Sequence, residues 1–155
     1  MLDGTYKNFI DGQWVAGASV IHNINPSDIS DKVGDYARAT VDDCLAAIGA
    51  ANRAFDDWSQ SALEQRKAIL DFVGAELIAR KDEIGAILAR EEGKTLAEGV
   101  GEVGRSGQFF QYYAAETLRL MGENTASVRP GVDVEVHREP LGVVGIVTPW
   151  NFPLA

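Results

Sequence analysis

One stretch limits what this chain can fold into more than any other. Leu141 to Val147 is a near-continuous apolar run interrupted only by Gly142 and Gly145. Such a run suits a strand covered on both faces, the kind found in sheets with helices packed on either side. A strand of that type also needs partners along both edges. Few other segments of the sequence can supply them, so the run reads as the first buried strand of a larger domain. It leads straight into Thr148-Pro149-Trp150-Asn151-Phe152-Pro153, a loop braced twice by proline.

The residues upstream supply helices. Thr40 is a good N-cap, with Asp42 and Asp43 favourable in the first turn that follows. Cys44, Ile48, Ala51, Phe55 and Trp58 recur at helical spacing and share one face. Ser61-Ala62-Leu63-Glu64 fits a capping box opening a second helix, whose buried stripe runs through Leu63, Leu70, Val73, Leu77, Ile84 and Leu88. Thr95-Leu96-Ala97-Glu98 is a further capping box, and its helix should run to about Met121 with Gly122 as the stop. Before these, Asp11-Gly12 between Tyr6-to-Ile10 and Gln13-to-Val15 signals a hairpin. Asn25-Pro26-Ser27 marks a turn, and Val33 to Ala39 could return as a strand. Beyond residue 124, Val132, Val134 and Val136 alternate with Asp133, Glu135 and His137, the pattern of a half-buried strand. Three helices followed by a buried strand predict an α/β sandwich.

Composition narrows the function. The 155 residues carry 23 Asp and Glu against 14 Lys and Arg, a net charge of -9. An acidic chain repels phosphate backbones and anionic lipid, so nucleic-acid and membrane partners are not expected. A single cysteine and two distant histidines leave no ligand set for a metal. No run approaches the roughly 18 apolar residues of a membrane span. Met1 to Thr5 lacks the basic and apolar regions of a secretion signal, so the expected location is the cytoplasm.

Several residue groups could carry chemistry. Gly99-Val100-Gly101-Glu102-Val103-Gly104 matches G-x-G-x-x-G, which has meaning only where a strand enters it and a helix starts inside it. Helical spacing precedes it here, so Gly101, Gly104 and Gly107 read instead as thinning one side of a helix for a close approach. Arg105 lies on the same stretch. It either pairs with Glu102 on a solvated helix face or faces a cleft and grips a carboxylate in bidentate fashion. Cys44 among apolar neighbours reads as buried and inert, and His22 and His137 as surface residues. In the terminal loop Trp150 offers a broad apolar wall. Asn151 offers an uncharged amide that could serve a developing oxyanion or cap a helix.

Taken together, Glu139-Pro140-Leu141-Gly142-Val143-Val144-Gly145 and Thr148-Pro149-Trp150-Asn151-Phe152-Pro153 resemble the aldehyde dehydrogenase superfamily. Phe9-Ile10-Asp11-Gly12-Gln13-Trp14, Asn25-Pro26, Glu92-Gly93-Lys94 and Tyr112-Tyr113-Ala114 agree with it. The resemblance covers the whole sequence but only the amino-terminal part of the family's longer chain. It implies an α/β fold: residues 1–125 as the N-terminal part of a Rossmann-like NAD(P)-binding domain, 126–140 as a strand of the β oligomerisation flap, and 141–155 as the first buried strand and the cofactor and oxyanion loop. It implies that Asn151 helps form the oxyanion hole. Ile146, Val147, Thr148, Pro149 and Trp150 would line NAD or NADP, and Gly101, Glu102, Arg105 and Phe152 the aldehyde access tunnel. The run from Glu91 to Tyr113, with Ser127 to Gly131, is most similar to 2-oxoglutarate semialdehyde (2,5-dioxopentanoate) dehydrogenases, with succinate semialdehyde a close rival substrate. The reaction implied is NAD(P)-dependent oxidation of a small aldehyde to its acid in a homodimer or homotetramer. The family's cysteine nucleophile, glutamate base and ribose-gripping residues would lie beyond Ala155, and Cys44 aligns with none of them. The 155 residues alone are therefore expected to be inactive, and a non-catalytic binding or assembly module of the same family is the alternative.

Overall fold

The computed structural model describes residues 5–155. The expectation that no secretion signal opens the chain falls mainly on Met1 to Gly4, outside those residues. Five short strands come first: β1 (Thr5–Tyr6), β2 (Asn8–Ile10), β3 (Gln13–Val15), β4 (Ser19–Ile24) and β5 (Lys32–Arg38). β2 and β3 form the expected hairpin, with Phe9 opposite Trp14 and Ile10 opposite Gln13. Asp11 and Gly12 both take positive φ, 51° and 74°, the backbone that a two-residue turn needs to match strand twist. The Phe9 and Trp14 rings meet 4.9 Å apart across the pair. β5 is the centre of a three-stranded sheet of order β1-β5-β4, parallel to β1 and antiparallel to β4.

Four helices follow: α1 (Val41–Ser59), α2 (Leu63–Ala79), α3 (Lys81–Glu92) and α4 (Leu96–Glu116). Thr40 and Asp43 close a capping box on α1, and Thr95 and Glu98 close one on α4. Ser61 does not cap α2. Its hydroxyl donates to the Trp58 carbonyl and accepts from Arg66 Nε, and the N-cap is Ala62 with no side-chain bond. The stripe from Leu63 to Leu88 is split between two helices, because the backbone at Arg80 turns to φ -106°, ψ 17°, and only Leu88 of it is buried, the rest being half-buried. No proline or glycine marks that break, so apolar spacing alone could not show it. α1 buries no residue, and Cys44 is exposed rather than buried. Arg53 of α1 reaches that hairpin, donating to Asp11 at 2.8 Å.

The core lies where α2 and α3 cross α4, around the fully buried Val103 and Ala114 and the buried Leu88. Glycines set both crossings. A Cβ on Gly74 of α2 would stand 2.8 Å from the Gly107 carbonyl oxygen, and one on Gly107 would stand 2.9 Å from the Gly74 carbonyl oxygen. At the other crossing a Cβ on Gly99 of α4 would stand 2.5 Å from the Gly85 carbonyl oxygen, and one on Gly85 of α3 would stand 2.6 Å from Val100 Cα. Gly99, Val103 and Gly107 are four apart and share the face turned to α2 and α3. Gly101 and Gly104 do not thin that side; a Cβ on either would meet nothing within 4 Å.

α4 ends earlier than its spacing suggests. A 3-10 turn over Thr117–Arg119 follows it, and Gly122 is not the stop. β6 (Glu123–Ala126), unforeseen in the sequence, pairs antiparallel with β7 (Asp133–Val136). Both are exposed along their length, so the valine alternation is not half-buried among the described residues. Nor do Leu141 to Val147 form a strand; the run has no regular secondary structure and is exposed, with Val147 97% exposed. A strand draws its hydrogen bonds from neighbours, and no described segment pairs with this one. The architecture is mixed α/β. Among the described residues no helix is long and apolar enough to cross a membrane.

Candidate functional site

Gly93 closes α3 in the left-handed region at φ 75°, its N–H returning to the Ala89 carbonyl. This turn sends Lys94 inward just before Thr95 opens α4. The Lys94 ammonium, on a side chain only 14% exposed, meets Glu92 Oε2 at 2.8 Å and also pairs with Glu102. It donates a third bond to the main-chain carbonyl of Asn151 at 3.1 Å and stands 4.8 Å from the centre of the Phe152 ring. Burial alone would lower the pKa of this lysine. Hydrogen bonds and attraction from Glu102 and Glu92 outweigh it, and the net direction is upward.

Glu102 is the other half of the clamp. Its side chain is 1% exposed, and Oε1 accepts the N–H of Leu154 at 3.0 Å and of Ala155 at 3.3 Å. A carboxylate this deep requires a cation and further donors. Lys94 supplies the first and the terminal loop the second. Glu102 is therefore committed to holding that loop, and it does not pair with Arg105.

Beside the clamp is a hollow of about 290 Å³ lined by Glu92, Lys94, Glu98, Trp150, Asn151 and Phe152. Glu98 is occupied with the Thr95 cap, whose hydroxyl and N–H hold its carboxyl below the usual range. One cation between two carboxylates is not a cradle for phosphate. Trp150 is 86% exposed, and Asn151 is exposed at the edge of this hollow. A neutral amide on an anchored main chain can donate to an oxygen that gains charge.

The residues expected at the substrate are only partly brought together. Asn151, Trp150 and Phe152 share the hollow. Arg105 instead lines a second hollow of about 360 Å³ with Gln108, Phe109, Tyr112 and Tyr113. Its guanidinium lies 4.6 Å from the centre of the Phe109 ring and donates to Gln108 at 3.3 Å. Gly101 is exposed on α4. Ile146, Val147, Thr148 and Pro149 lead, exposed and without regular secondary structure, into Trp150. The G-x-G-x-x-G match lies wholly inside α4, with Leu96 already helical before it, so no strand delivers it to a phosphate.

Lys94 and Glu92 are the residues that reasoning from sequence did not single out for a role. A signal existed for Lys94: a cation beside a helix C-terminus is favourably placed there. Glu102, next to Val103 on a buried face, likewise called for a partner.

A model of the aldehyde dehydrogenase family matches residues 14–155. The alpha-ketoglutaric semialdehyde dehydrogenase of Bacillus subtilis is 39% identical over 153 residues, covering 97% of this chain and 31% of that protein. A crystal structure of an E. coli NADP-dependent enzyme superposes with TM-score 0.91 at 30% identity, covering 97% of this chain and 31% of that one. An NAD-dependent aldehyde dehydrogenase from Sinorhizobium meliloti gives TM-score 0.90 at 34% identity, with 97% and 31% covered. The chain thus spans about a third of the length of the proteins it matches.

Proposed function

The chain belongs to the aldehyde dehydrogenase family, and on that premise we propose that the protein carrying it oxidises a carboxylate-bearing semialdehyde, such as 2-oxoglutarate semialdehyde, to the acid. The observation that carries this is the exposed Asn151 amide on a loop anchored by Lys94 and Glu102. Residues 1–125 and 141–155 then belong to the cofactor domain, and 126–140 to a flap that pairs subunits of a homodimer or homotetramer in the cytoplasm.

Ile146, Val147, Thr148, Pro149 and Trp150 offer an apolar, uncharged surface with one hydroxyl, which fits a flat nicotinamide better than a pyrophosphate. Bound NAD or NADP would supply the hydride acceptor for the adduct formed once the nucleophile has added to the aldehyde carbon. Asn151 donates its amide hydrogen to the aldehyde oxygen as that oxygen gains negative charge. Trp150 and Phe152 keep the approach apolar. Arg105, stacked on Phe109, keeps donors free for a distal carboxylate. The hollow beside Asn151 contains no thiol or hydroxyl in its lining. The attacking cysteine and the base that activates water are assigned to the part of the relatives' length that this chain does not span.

The test is reduction of NAD+ and of NADP+ by the intact protein with 2-oxoglutarate semialdehyde, succinate semialdehyde and an apolar aldehyde of similar length. Reduction with a preference of roughly tenfold or more for the carboxylate-bearing substrates is expected. No reduction with any aldehyde defeats the activity, and equal rates defeat the substrate class.

A further inference from the structure

We propose that Lys94 and Glu102 are positioning residues for the Asn151 amide, acting together as a buried clamp that fixes the main chain on both sides of it. This rests on the oxyanion role given to Asn151 above.

The clamp is asymmetric. Lys94 holds the Asn151 carbonyl itself, so it fixes the Cα from which the amide projects. Glu102 holds the N–H groups of Leu154 and Ala155, three and four residues further on. Between the two anchors lie the Phe152 ring, facing the Lys94 ammonium, and Pro153, whose φ is fixed. Pro149 stiffens the approach from the other side. The anchors are joined by their own ion pair, buried to 14% and 1% exposure, and that pair sits on the α3–α4 junction. At that junction Gly85 and Gly99 let the two helices approach backbone to backbone. Through these bonds the loop is tied to the helical core.

Position matters more than contact strength for an oxyanion donor. A displacement of about 1 Å can cost on the order of a hundredfold in rate while leaving substrate binding almost unchanged. Neither Lys94 nor Glu102 needs to touch the substrate: the carboxylate of Glu102 is sealed, and the three oxygens around Lys94 saturate its donors.

The experiment is a double-mutant cycle in the intact enzyme, pairing Lys94→Met with Asn151→Ala. Lys94→Met alone should lower kcat roughly thirtyfold or more and leave the KM for aldehyde and cofactor within about threefold. In the Asn151→Ala background it should cost almost nothing further. An equal loss in both backgrounds, or no loss in either, overturns the clamp while leaving the enzymatic reading intact. Failure of the wild-type protein to oxidise any aldehyde removes both. Glu102→Gln decides by the same cycle if Lys94→Met does not fold, because glutamine keeps an acceptor for Leu154 and Ala155 and releases only the ammonium. Hydrogen exchange gives a readout apart from activity. The Leu154 and Ala155 amides should exchange slowly in the wild type, remain slow in Glu102→Gln and speed up in Glu102→Ala; unchanged exchange in Glu102→Ala counts against the clamp.

Discussion

Gly85 and Gly99 touch through their backbones. A Cβ on Gly99 would stand 2.5 Å from the Gly85 carbonyl oxygen, and a Cβ on Gly85 would stand 2.6 Å from Val100 Cα. Neither obstacle is a flexible side chain that could move aside. Gly85→Ala and Gly99→Ala should each destabilise by about 2 kcal/mol or more through overpacking. Urea unfolding checks this: a midpoint equal to wild type in both would mean that the helices can separate at no cost.

Gly101→Ala and Gly104→Ala should act in the opposite sense. Both glycines lie inside α4 with open space where a Cβ would go. Alanine there removes the entropy cost of glycine in a helix and should stabilise by about 0.5–1 kcal/mol each. The same urea titration reads both pairs, and the signs should differ.

Asp31 accepts a bidentate bond from Arg90, at 2.8 and 2.5 Å, which ties the turn before β5 to α3. Hydrogen bonds from Arg90 and Asn25 lower its pKa from 3.8 to about 2. The folded value lies below the unfolded one, so this contribution is complete above 3.8 and is lost as pH falls toward about 2. Asp31→Asn should flatten the melting temperature against pH in that window and leave its shape near pH 7 unchanged. Parallel curves for wild type and variant would show that the pair contributes nothing to acid stability.

Asn151→Ala in the intact enzyme should cut kcat about a hundredfold or more, the scale of one lost oxyanion donor, near 3 kcal/mol. Near-normal turnover would mean that the amide does not face the reacting oxygen.

Arg105→Ala should raise KM for carboxylate-bearing aldehydes by about tenfold or more and spare apolar ones, since a bidentate contact to one substrate class is removed. Steady-state kinetics with one aldehyde of each class separates the outcomes. Equal changes in both would reduce Arg105 to a surface residue resting on Phe109.

Much of this molecule was legible from short windows of sequence. Thr40 and Thr95 cap their helices because the capping box is closed within four residues. Asp11-Gly12 turns its hairpin because only a few residue types tolerate that backbone. The family could be read from the blocks around Trp14, Lys94 and Asn151 because they are local strings. Tertiary structure alone decided the rest. The break at Arg80 leaves the apolar spacing intact, so nothing in the sequence marks it. The glycines that matter on α4 are Gly99 and Gly107, not Gly101 and Gly104, and only the position of α2 and α3 makes that so. Lys94 finds Asn151 from 57 residues away, and Glu102 finds Leu154 from 52. A local pattern records what a residue can do within its own turn or strand. Which distant backbone it holds follows from how the helices pack, and that is a property of the fold rather than of any window along the chain.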